Sequence, residues 1–165
     1  MLRAVLAVVL AAALVGTATA ALDVAGHRQS DRLVDAEVER LVAAARDLQA
    51  SEAAVAVGRP GARRHVTVHL PGKDLTTACV AYLAIGGDPL ADDRGDTTAA
   101  TVAWKIVGGT RRNRRIAGLS VEHAVDGRPT ARPLVLREPG VHHLVLTLVR
   151  RNGRRVVLVS RRADA

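Results

Sequence analysis

The feature that most constrains this chain is an apolar run over residues 4–22 that leads straight into an amphipathic stretch. The two are separated by nothing stronger than Gly26, and the first firm break is Gly58-Arg59-Pro60-Gly61. Nineteen helical residues at 1.5 Å each span about 28 Å, close to the thickness of a bilayer's hydrocarbon core. Two readings of the run compete. As a cleaved secretory signal it has Arg3 as the positive n-region, residues 4–15 as the h-region, and Ala18-Thr19-Ala20 as an A-x-A site, with cleavage between Ala20 and Ala21. As a retained helix it is a transmembrane anchor, although neither a basic stop-transfer cluster nor an aromatic belt follows it. Both readings place the rest of the chain at the cell membrane or outside the cytoplasm, with the N-terminus cytoplasmic if the run is uncleaved.

The next segment, residues 23–57, reads as an amphipathic helix. Val34, Val38, Leu41, Ala45 and Leu48 step by four, three, four and three, which draws one narrow apolar seam. Leu33, Val42 and Ala44 widen it, while Asp31, Asp35, Glu37, Glu39, Arg40, Arg46 and Asp47 take the other positions. The helix either starts at a Ser30-Asp31 cap or continues from the apolar run, and Gly58 and Pro60 stop it. Such a stripe seats on the domain's own sheet; a sharper reading packs part of it on neighbouring subunits.

From Arg63 the period changes to two. His65-Val66-Thr67-Val68-His69-Leu70 alternates cleanly and ends at Pro71-Gly72. Further strands are expected over 77–85, 98–107, 116–125, 133–136, 141–149 and 155–160. Val102, Trp104 and Ile106 share a face, and Asn152-Gly153 supplies the positive φ angles of a type I′ hairpin. The expected fold is α+β: a long N-terminal helix on an antiparallel sheet of six or seven strands, the sheet domain spanning residues 62–165. With no Phe, one Trp and one Tyr, its core must be aliphatic, with Val, Leu and Ala carrying the burial.

The charge is +8 and unevenly placed. From Arg111 onward there are 13 Arg and 4 acidic residues, so this portion carries +9 and the remainder −1. Two clusters account for most of it: Arg111, Arg112, Arg114 and Arg115, and Arg150, Arg151, Arg154 and Arg155. Both read as hairpin tips. Across a two-residue turn Arg151 faces Arg154 and Arg150 faces Arg155, and like charges directly opposite are destabilising. An acidic protein or anionic lipid headgroups would relieve the repulsion; a solvated edge that resists aggregation is the plainer reading. Nucleic acid is not expected as a partner, because aromatic stacking platforms and a recognition helix are both missing.

No motif points to catalysis, a cofactor or a metal. His65 and His69 share a strand face but stand about 13 Å apart along it, and the adjacent His142 and His143 point to opposite faces. The acidic loop at residues 88–96 has oxygen ligands suited to a cation but not the spacing of an EF-hand. Gly118-Leu119-Ser120-Val121-Glu122 lacks the second glycine of a nucleophile elbow. Cys79 is the single cysteine, sits in an apolar run, and is expected to be a buried, inert thiol. The chain therefore reads as non-enzymatic.

The plan resembles type IV pilin-like proteins, and its details look closest to small exported or membrane proteins of halophilic archaea. The residues that carry the resemblance are the start Met-Leu-Arg-Ala-Val-Leu-Ala-Val-Val-Leu, the strand opening Gly61-Ala62-Arg63-Arg64-His65-Val66-Thr67-Val68, Val102-Ala103-Trp104-Lys105-Ile106-Val107-Gly108-Gly109, and Pro133-Leu134-Val135-Leu136-Arg137 before the last hairpin. The resemblance implies a pilin-like fold and, as partners, the membrane and the proteins of a pilus or secretion apparatus.

Overall fold

The computed structural model describes the backbone of residues 2–74, 76–90 and 100–162, with side chains from residue 24 onward. One helix, α1 (Leu2–Ser51), precedes ten strands. The cleavage site at Ala20 and Ala21 and the side chains of the apolar run lie outside the residues whose side chains are described. Among the described residues, no helix is long and apolar enough to cross a membrane.

The seam on α1 holds as expected: Val34, Val38, Leu41, Ala45 and Leu48 are all buried. The helix does not start at Ser30. That residue lies inside a continuous helix, fully buried, and its hydroxyl both donates to Ala78 O and accepts from Ala78 N at 2.8 Å. The helix also ends earlier than residue 57. Val55–Ala56 forms strand β1 instead, pairing in parallel with Val149 and Arg150. A β-branched Val with a sheet edge in reach gains ladder hydrogen bonds that a fraying helix end cannot offer.

The strands form two sheets rather than one, and the larger is mixed rather than antiparallel. Its centre is the hairpin of β9 (Gly140–Arg151) and β10 (Arg154–Arg161). One edge of β9 carries both β1 and the antiparallel β2 (Arg63–Leu70). Beyond β10 come the parallel β6 (Val121–Val125) and the short β7 (Arg128–Pro129). The second sheet is antiparallel, with order β5 (Arg111–Ile116), β4 (Ala100–Ile106), β3 (Val80–Ile85) and β8 (Leu134–Leu136). The stretch 116–125, which looks like one strand, is two. Gly118 at φ 74° turns the chain from the end of β5 in one sheet to β6 in the other. This is why β6 meets β10 in parallel.

A single core joins the seam of α1 to the inward faces of both sheets, from Val68 and Leu146 on one side to Leu83, Val102 and Trp104 on the other. The helix thus buries its seam against both sheets while its other face stays exposed. A smaller cluster of Val149, Val156, Leu158 and Ala124 lies on the opposite face of the larger sheet.

Gly61 is where β1 and β9 pass closest to the chain entering β2. A Cβ there would stand 2.6 Å from Val55 Cγ2 and 3.1 Å from Leu148 O. Gly61→Ala is therefore expected to lower stability by about 1–3 kcal/mol, since one of the two contacts is backbone and cannot rotate away. Urea denaturation checks this.

Candidate functional site: the arginine clusters

The structure separates the two arginine clusters in kind. The first, residues 111–115, is not a hairpin tip. The turn is made by Val107, Gly108, Gly109 and Thr110, closed by Gly109 N donating to Ile106 O, and the arginines form strand β5 itself. Alternation then divides them. Arg112 and Arg114, opposite Trp104 and Val102, point toward α1. Arg112 pairs with Asp31 at 3.0 Å, and Arg114 pairs with Asp35 and Glu39 at 3.3 Å. Trp104 Nε1 also donates to Asp31 at 3.3 Å. The geometry fits because every fourth helical residue repeats at about 6 Å and every second strand residue at about 6.8 Å. These arginines meet an acidic row on the chain's own helix. The pairs are largely exposed, so each contributes only a few tenths of a kcal/mol.

On the other face of β5, Arg111 lies 3.3 Å from Asp88, while Arg115 has no ion-pair partner among the described residues. Tyr82 lies in this region, in a small cluster with Ala84 and Ala103. Burial raises its hydroxyl pKa and the Asp88 carboxylate adds to the rise, against smaller opposing effects of Arg111 and Arg137. Its hydroxyl makes no hydrogen bond among the described residues. A raised tyrosine pKa favours the neutral form in the fold, so its contribution to stability is present below the unfolded value of about 10 and is lost as pH rises through the folded one. Tyr82 is the chain's single tyrosine. Its phenolate absorbance is expected to appear later in an alkaline titration than that of the urea-unfolded chain.

The second cluster is a hairpin tip, as expected. Asn152 (φ 50°) and Gly153 (φ 77°) make the turn, and the register sets Arg151 opposite Arg154 and Arg150 opposite Arg155. The same turn chemistry recurs at Asp126 (φ 50°) and Gly127 (φ 73°), which joins β6 to β7. That hairpin escaped the sequence reading although Asp-Gly was there to signal it. Two of the four tip arginines are engaged: Arg151 pairs with Glu122, and Arg155 Nη1 donates to Gln49 O at 3.0 Å. The latter caps the C-terminal end of α1, whose last turn has no basic residue of its own. Arg150 and Arg154 have no side-chain partner among the described residues. A groove of about 450 Å³ runs beside the tip, lined by Gly118, Ser120, Glu122, Arg151, Arg154 and Val156.

The remaining candidates do not converge. His65 and His69 are exposed on β2, with His69 Nδ1 3.7 Å from the buried Glu37 carboxylate. His143 contacts Thr67, His142 contacts Glu138 O, and His123 on β6 contacts Thr130 and Arg132 O. Among the described residues, no group of three His, Cys, Asp or Glu side chains could hold a metal ion. Cys79 is half-buried rather than buried, with Sγ 3.7 Å from Val80 O. Of the acidic loop only residues 88–90 are described, where Leu90 N donates to Asp88 Oδ1 at 3.0 Å.

The fold and its arginine tip define a helix-seated, two-sheet α+β domain with a basic groove at one end. The chain belongs to the family of the Domain of unknown function (DUF7311), whose model matches residues 1–162. No curated protein and no solved structure matches it.

Proposed function

We propose that this protein is a non-enzymatic, pilin-like accessory component of a type IV pilus- or secretion-type surface apparatus. In this reading the apolar run at residues 4–22 anchors or assembles the chain, and the two-sheet domain stands outside the cytoplasm. The observation that carries it is the continuity of α1 from Leu2 to Ser51: one helix joins the apolar run to the centre of the core. A segment made only to be cleaved needs no such continuity. The partners are the membrane and the proteins of the apparatus. The scattered histidines support the non-enzymatic reading, because the groove beside the hairpin tip has no histidine among its lining residues.

Membrane fractionation with intact-mass measurement of the native protein tests the proposal. Residues 1–20 retained in the membrane fraction are the expected result. A soluble chain beginning at Ala21 would overturn it and leave the second reading, an extracytoplasmic binding module. The specific observation favouring that reading is the basic groove, with Arg154 left over after the internal contacts are made.

A further inference from the structure

The ends of α1 place the hairpin tip far from any membrane that the apolar run could enter. At the near end, a Cβ on Gly26 would stand 3.6 Å from Thr76 O, and His27 Nε2 lies 2.7 Å from Val107 O in the β4–β5 turn. At the far end, Arg155 reaches Gln49 O. The helical steps between Gly26 and Gln49 amount to about 34 Å, several times the screening length of about 8 Å at physiological salt. Headgroups around residues 4–22 are therefore out of reach of the tip.

We infer that the groove at the β9–β10 tip is a docking site for an acidic peptide segment of a partner protein, presented on the side of the domain away from the anchor. The orientation rests on the tethered reading above; the groove chemistry does not. Arg151 already holds one carboxylate, that of Glu122, which demonstrates the kind of group the groove accepts. Arg154 stands directly opposite Arg151, so the two share a single internal counter-charge. Val156 and the backbone around Gly118 give the groove an apolar and peptide-lined wall. An extended acidic segment matches this with carboxylates toward Arg151 and Arg154, and charge-assisted bonds of this type are the strong ones.

The test uses the full chain in neutral detergent and a fluorescent oligoglutamate peptide as the probe. Arg154→Gln removes the groove's unpartnered arginine and spares the Arg151–Glu122 and Arg155–Gln49 contacts. Arg128→Gln with Arg132→Gln is the control for general charge. The Arg154 variant is expected to weaken binding at least about tenfold, and the control less than about twofold. Failure of the native chain to bind, or equal loss in both variants, overturns the inference. A second measurement places Asn152→Cys, labelled in a Cys79→Ala background, in anionic vesicles containing headgroup quenchers. Unquenched fluorescence is expected; quenching would make the tip a membrane contact instead. If native chains are released at Ala21 the tethered reading falls while the peptide measurement stands, so the two failures are distinguishable.

Discussion

Val38→Asp is expected to destabilise the domain severely at neutral pH. Val38 is fully buried in the core that α1 shares with both sheets. An unpaired carboxylate there costs about 4 kcal/mol or more, against a total stability of about 5–15 kcal/mol for a domain of ordinary size. The loss has a pH signature. Burial raises the pKa of the introduced Asp, so the fold tolerates its neutral form and loses stability as pH rises through the acidic range. Ala43→Asp, at an exposed position of the same helix, is the matched control and is expected to change stability by less than about 0.5 kcal/mol. Circular dichroism melts of both variants across pH decide the matter. A Val38→Asp chain as stable as its control would mean that α1 is not part of the interior.

Ser30→Ala is expected to cost about 2–3 kcal/mol, an unusual amount for loss of one hydroxyl. The reason is that Ser30 Oγ serves both backbone groups of Ala78, one as donor and one as acceptor. Removing it orphans an N–H and a C=O at the entrance to β3, and Ala brings no partner for either. The loss is local first: hydrogen exchange at the Ala78 amide is expected to accelerate before the global transition moves. Unchanged protection at Ala78 would show that the latch does not hold the chain there.

The seam on α1, the β2 alternation and the Asn152-Gly153 turn were legible because each is a local pattern with a fixed period or a fixed backbone demand. The division into two sheets was not. Whether β6 continues β5 or crosses to β10 depends on a pairing between residues 121 and 157, and only Gly118 hints at the break. Strand β5 was hidden for a different reason. Arg111 to Arg115 show no apolar alternation, because the face turned inward meets carboxylates rather than hydrocarbon. The signal lay in two places at once: acids at 31, 35 and 39 on the helix, and arginines at 112 and 114. Complementary rows with steps of four and two were visible in the sequence as soon as both were set side by side. Strand β1, two residues long, had no local signal strong enough to compete with a helical continuation.

The central place of β9 and β10 in the larger sheet has a consequence for the order of events as the chain is made. Val55 pairs with Val149 and Arg63 with Thr147, 94 and 84 positions away. The apolar seam of α1 therefore waits for cover until residues synthesised long after it have emerged. Folding governed by such distant contacts is slow. Until then the seam is uncovered, and the domain closes only once its final hairpin has been made.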